Sequence, residues 1–109
     1  MATRKTVLKN FSKKAEEIFG RIKYAKNLYK RDASYTINDF YSYGKLKHQQ
    51  LFAVINFIEE NYKLSEEERK EIMKYYWEID DIIKGAVKEA EAEGWRYIES
   101  SWKKLEKTA

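Results

Sequence analysis

The side chains with the chemical range for catalysis are few and isolated. His48 is the only histidine in 109 residues and cysteine is absent, which excludes a thiolate nucleophile, a disulfide scaffold and a Cys-ligated zinc or iron–sulfur site. General acid–base work by one imidazole needs a neighbour that orients it. The segment Lys-Leu-Lys-His-Gln-Gln supplies none, no Arg stands four to six positions before His48, and the spacing reads as a helix-surface histidine beside Lys47. Carboxylate metal sites in helical bundles normally carry a Glu-x-x-His motif. Glu78, Asp80 and Asp81 cluster without one, and Asp80 and Asp81 precede Lys84 by four and three residues, the spacing of solvated helix ion pairs. The four glycines stand singly and form no phosphate loop. These residues point to no catalytic group, no metal ligand and no cofactor, so the expectation is a protein that works through its surfaces and is not an enzyme.

Charge is the stronger signal. Ten of the first thirty-one residues are Lys or Arg and two are acidic, whereas residues 32–109 carry twelve basic and sixteen acidic side chains. The formal net charge of +4 therefore hides a basic end of +8 and an acidic remainder of −4. A basic surface attracts polyanions, and each phosphate it neutralises releases counterions. Lys9, Lys13, Lys14, Arg21, Lys23, Lys26, Lys30 and Arg31 are the candidate contacts, with Lys45 and Lys47 further along. Tyr24, Tyr35 and Tyr41 lie in or beside this region and have the rings needed to stack on unpaired bases. The expected partner is nucleic-acid backbone, with the chain a subunit of a larger nucleoprotein assembly. An acidic protein surface meets the same charge requirement, so a small inhibitor or adaptor of the kind mobile elements encode, docked on a larger protein, is the alternative. Abundant Lys, Tyr and Ile also fit an A/T-rich coding sequence or a heat-adapted proteome, and a charged face is commonly no more than solvated surface.

The elements that must position these residues are helices. Proline is absent and Lys, Glu, Ala, Leu and Ile dominate, which favours an all-α bundle of three to four helices in a single domain over residues 1–109. Leu8, Phe11, Ala15, Ile18, Ile22, Ala25 and Tyr29 recur at steps of three and four, predicting a first helix over 7–31 whose opposite arc holds Lys9, Lys13, Lys23, Lys30 and Arg31. Residues 32–44 read as a connector in which Thr36 and Asp39 cap a short turn and Gly44 ends it. A second helix is predicted over 45–62, with Leu51, Val54, Ile55, Ile58 and Tyr62 inward. A break at Gly44 would also place Lys45, Lys47, His48, Gln49 and Gln50 as base-edge readers at the start of a recognition helix, although the tight spacing of that motif is missing. Ser65 and Glu68 form a capping box that opens a third helix over 66–93.

The predicted fourth helix, 95–107, is either separate or continuous with the third through a kink at Gly94. An unbroken helix would extend about 60 Å and would call for a homodimer along the 66–107 stripe. Ala86, Ala90 and Gly94 are spaced for close helix approach, with Phe11, Ile18 or Phe57 to fill the gap. Trp77, Trp95 and Trp102 would then share one flank, either a core edge or a protein interface. No apolar run is long enough to cross a bilayer and no signal-peptide stretch opens the chain, so no membrane partner and a cytoplasmic setting are expected.

Overall fold

The computed structural model describes residues 3–105. Three helices pack side by side and a two-stranded hairpin closes one end: α1 Arg4–Arg31, α2 Ile37–Asn61, α3 Glu66–Ala92, β1 Trp95–Ile98 and β2 Ser101–Lys104. Arg4 reaches Glu68 and Lys26 reaches Glu89, so α1 and α3 run parallel, with α2 antiparallel between them in sequence. The helices have 28, 25 and 27 residues, and the bundle is a rod of 63 × 24 × 20 Å with a radius of gyration of 16.9 Å. A rounder chain of this length would have a radius nearer ~13 Å.

Each helix starts where a short polar side chain takes up its free amide groups. The Thr6 amide donates to Thr3 Oγ1 at 3.2 Å. The Thr36 amide donates to the Asp39 carboxylate at 2.9 Å, and Ser65 and Glu68 exchange bonds of 2.9 and 3.1 Å. Those bonds to Ser65, with Arg4 and Lys5 nearby, hold the Glu68 carboxyl below its ordinary range. Between α1 and α2, the Ser34 amide and hydroxyl both donate to Asp32 Oδ1, at 2.9 and 2.7 Å, which makes the turn and lowers the Asp32 carboxyl.

The core follows the expected stripes. Phe11, Ala15, Ile18, Ile22 and Ala25 of α1 meet Phe40, Leu51, Ile55 and Ile58 of α2 and Ile72, Ile79, Ile83, Ala86 and Ala90 of α3. Burial of each large aliphatic side chain stabilises the fold by about 1.5–3 kcal/mol. Phe40 is wholly enclosed and stacks on Tyr29 with ring centroids 5.9 Å apart, so Phe40→Ala would cost about 3–5 kcal/mol. No helix among the described residues is long and apolar enough to cross a membrane.

Several expectations are corrected. The second helix starts at Ile37 and not 45, because the Thr36–Asp39 cap opens a full helix that runs on through Gly44. Gly44 ends nothing; a Cβ there would meet Ile83 Cγ1 at 3.2 Å, so its missing side chain lets α3 approach. A recognition helix beginning after a break at Gly44 is thereby removed. Val54 and Phe57 are 45% and 61% exposed, and neither fills the interior.

The largest correction concerns the C-terminal segment. Over the described residues, the predicted helix 95–107 is a hairpin; 106–107 lie outside them. Gly94 adopts φ +97°, which stops α3 where a kink or break was expected. Glu99 and Ser100 then adopt φ +52° and +65°, the paired left-handed geometry of a type I′ turn, and Tyr97 pairs across to Trp102. Aromatic and β-branched residues at alternate positions suit a pleated ribbon, and the helical spacing of the tryptophans was coincidental. Because α3 ends at Ala92, the long 66–107 stripe for a homodimer does not exist.

Candidate nucleic-acid interface

The basic residues of α1 divide into engaged and unengaged sets. Glu17 accepts from Arg21 at 2.8 Å and lies 3.7 Å from Lys14, while Lys26 and Lys30 turn toward α3 and share Glu89 at 3.2 and 3.7 Å. Lys9, Lys13, Lys23 and Arg31 are exposed and have no carboxylate within 4 Å among the described residues. They lie on the outer arc, away from Phe11, Ala15, Ile18 and Ile22, over about 33 Å of helix axis. The two acidic residues of α1 do not oppose an anion there: Glu17 is matched by two cations, and Glu16 accepts from the Tyr75 hydroxyl at 3.2 Å.

Beside this arc, α1 and the start of α2 leave a cleft of about 470 Å³, walled by Glu17, Gly20, Arg21, Tyr24, Ala25 and Leu28 on one side and Tyr35 and Tyr43 on the other. Gly20 sets the open wall, since nothing lies within 4 Å of where its Cβ would be. Tyr24 is 64% exposed, so one aromatic ring stands at the mouth. Burial, with Asp39 and Tyr43 nearby, pushes the Tyr35 hydroxyl above the ordinary phenol value, and it remains a neutral donor at physiological pH. Lys47 Nζ lies 5.8 Å from the centre of the Tyr43 ring, which brings a second cation to the cleft beside Arg21. Tyr43 went unselected in the sequence; its signal is the four-residue step to Lys47, legible once α2 is known to start at Ile37.

The other expected residues sit elsewhere. Tyr41 belongs to the hairpin end, 5.4 Å from Tyr97 and 5.5 Å from Trp102 between ring centroids. Lys45 is half-buried near Asp80 and Lys84 in a separate cleft between α2 and α3. Trp102 is buried, Trp95 is half-buried and Trp77 is 55% exposed on α3, so the three share no flank. Asn38 fixes the hairpin by bonding both the carbonyl and the amide of Trp102 at 2.7 Å. The Trp102 indole N–H is buried without an acceptor among the described residues, at a cost of about 1–3 kcal/mol.

His48 also differs from expectation. It is 5% exposed, its Nε2 donates to the Tyr76 carbonyl at 3.2 Å and its ring stacks on Tyr76 with centroids 4.1 Å apart. Burial lowers its pKa, opposed by that hydrogen bond and by Asp80. The predicted surface histidine is thus a neutral interior one, because it stands three and seven residues before Leu51 and Ile55, on the buried side of α2 where it meets Tyr76 of α3. Asp80 bonds Lys84 at 2.8 Å as the spacing indicated. A cleft of about 780 Å³ where α3 meets the hairpin is lined by Glu91, Glu93, Arg96 and Lys104. Its charges oppose one another and Arg96 donates to the Glu91 and Trp95 carbonyls, so it offers no platform for an anion.

No protein-family model, no curated protein and no solved structure matches this chain.

Proposed function

We propose that this chain binds single-stranded nucleic acid without catalysing a reaction. In this reading the phosphate backbone lies along Lys9, Lys13, Lys23 and Arg31, and an unpaired base enters the tyrosine cleft against Tyr24. The juxtaposition of that cleft with a run of cations that have no carboxylate partner among the described residues, Lys23 lying 5.3 Å from the centre of the Phe19 ring, carries the reading. A base presents a π-face to an aromatic wall whatever its identity, and such stacking contributes about 1–3 kcal/mol per base, so affinity with little sequence preference is expected. Arg21 stands at the same wall, held by Glu17, with a planar guanidinium suited to stacking.

A comparison of a short oligodeoxythymidylate with an abasic oligomer of equal length tests the proposal. Both carry the phosphates and only one carries bases. The base-bearing strand is expected to bind about tenfold more tightly, and Gly20→Leu, which fills the cleft without altering charge, removes that advantage. Equal affinity for the two strands contradicts a role for the cleft. Capture from nuclease-treated lysate separates the adaptor alternative, in which a protein partner survives digestion.

A further inference from the structure

We infer that the seam between α2 and α3, where the hairpin closes it, binds a free nucleoside monophosphate. This does not rest on the strand-binding reading, because the seam shares no residue with the tyrosine cleft or with the cationic arc of α1. Two hollows adjoin there, of about 300 and 310 Å³, and Tyr41 and Lys45 line both. Each stands at the lower end of the size range of small-ligand sites, so the pair suits a ligand with two unlike halves.

The chemistry of the two hollows selects that ligand. The first is aromatic and carries no charge except Lys45: Tyr41, Tyr97 and Trp102 line it, with ring centroids 5.3 to 5.5 Å apart. Tyr97 is 50% exposed, which leaves ring surface for a base to stack on. The Asn38 amide is spent on the Trp102 backbone, whereas Gln49 makes no hydrogen bond among the described residues and can pair with the donor and acceptor edge that adenine presents. The second hollow is charged, with Lys45, Lys84 and Lys88 set against Asp80 and Glu91. Lys84 occupies Asp80 at 2.8 Å, while Lys45 and Lys88 have no carboxylate within 4 Å among the described residues. Two cations thus answer one remaining carboxylate, and the surplus favours a phosphate. Lys45, common to both hollows, stands where base and phosphate would join.

Titration of the full chain with AMP, followed by amide NMR, tests this. Saturable shifts are expected at Gln49, Lys88 and Trp102 and not at Gly20 or Tyr24. AMP should bind about tenfold more tightly than adenosine, which lacks the phosphate, or inorganic phosphate, which lacks the base. Tyr97→Ala and Lys88→Ala, both at exposed positions, should each weaken it about fivefold or more. Glu91→Gln should tighten it about two- to threefold, an outcome that damage to the fold would not produce. Replacing Lys9, Lys13, Lys23 and Arg31 by Ala should leave AMP affinity unchanged, which separates this site from the strand-binding surface. Shifts centred on Tyr24, or none up to about 10 mM AMP, overturn the proposal. Adenosine or phosphate binding as tightly as AMP also overturns it, as does indifference to both Lys88→Ala and Glu91→Gln.

Discussion

α1 and α2 are near equals in length, 28 and 25 residues, and both bury one stripe in the same core, yet they face solvent in opposite ways. The outer arc of α1 is a run of cations without carboxylate partners, whereas that of α2 carries no charge for eleven residues. Solvation alone would permit a mixture of both signs on each helix. In the proposed reading the α1 arc takes a polyanion and the outer face of α2 takes no part in that contact. The tyrosine cleft lies where the N-terminal part of α2 meets α1, on the cationic side of the division.

The most damaging change to this contrast is charge reversal on α1. Replacing Lys9, Lys13, Lys23 and Arg31 by Glu is expected to weaken oligonucleotide binding by more than about a hundredfold in fluorescence anisotropy. Phe57→Glu, on the uncharged outer face of α2, should leave that affinity unchanged. A Phe57→Glu variant that lost oligonucleotide affinity would dissolve the distinction between the faces. Next in size is the cleft itself. Tyr24→Ala should cost about tenfold in affinity, and Tyr24→Phe, which keeps the ring, about twofold or less.

A smaller effect comes from the interior of α2. The folded pKa of His48 is lowered, so the unfolded chain, with an imidazole pKa near ~6.5, binds the proton more readily. Its contribution is therefore present above about pH 6.5 and is lost as the pH falls below that value. Thermal unfolding followed from about pH 8 to 5 should show a falling midpoint that His48→Gln flattens. Asp32 and Glu68 have lowered carboxyl pKa values and extend the loss only below about pH 4.5, a separate window. The smallest predicted effect belongs to α1. Gly20→Ala should stabilise the fold by about 0.5–1 kcal/mol in denaturant titration, since its Cβ meets nothing and the helix gains propensity.

Local signals carried much of this fold. The α1 stripe from Phe11 to Ala25, the Ser65–Glu68 cap and the stop at Gly94 were legible because periodicity and capping are properties of neighbours in sequence. Gly44 misled because a glycine that ends a helix and one that admits a packed side chain look alike until Ile83 is known to lie against it. Trp95, Tyr97 and Trp102 misled because short aromatic runs fit both a helix and a ribbon, and the choice rests on docking by Asn38, sixty-four residues from Trp102. For the candidate site, the cationic arc was legible from α1 alone. Which cations are consumed by Glu17 and Glu89, and that Tyr43 joins Tyr24 and Tyr35 while Tyr41 does not, depend on packing between helices.

The salt dependence of binding to a short single strand tests the central claim most directly. Four cations neutralising four phosphates predict a slope of log affinity against log salt of roughly −3, or about fiftyfold weaker binding between about 50 and 200 mM. That slope should flatten toward zero when Lys9, Lys13, Lys23 and Arg31 become Ala. Absence of saturable binding at low salt, or a slope unchanged in the fourfold variant, would contradict the assignment of the α1 arc as a nucleic-acid surface.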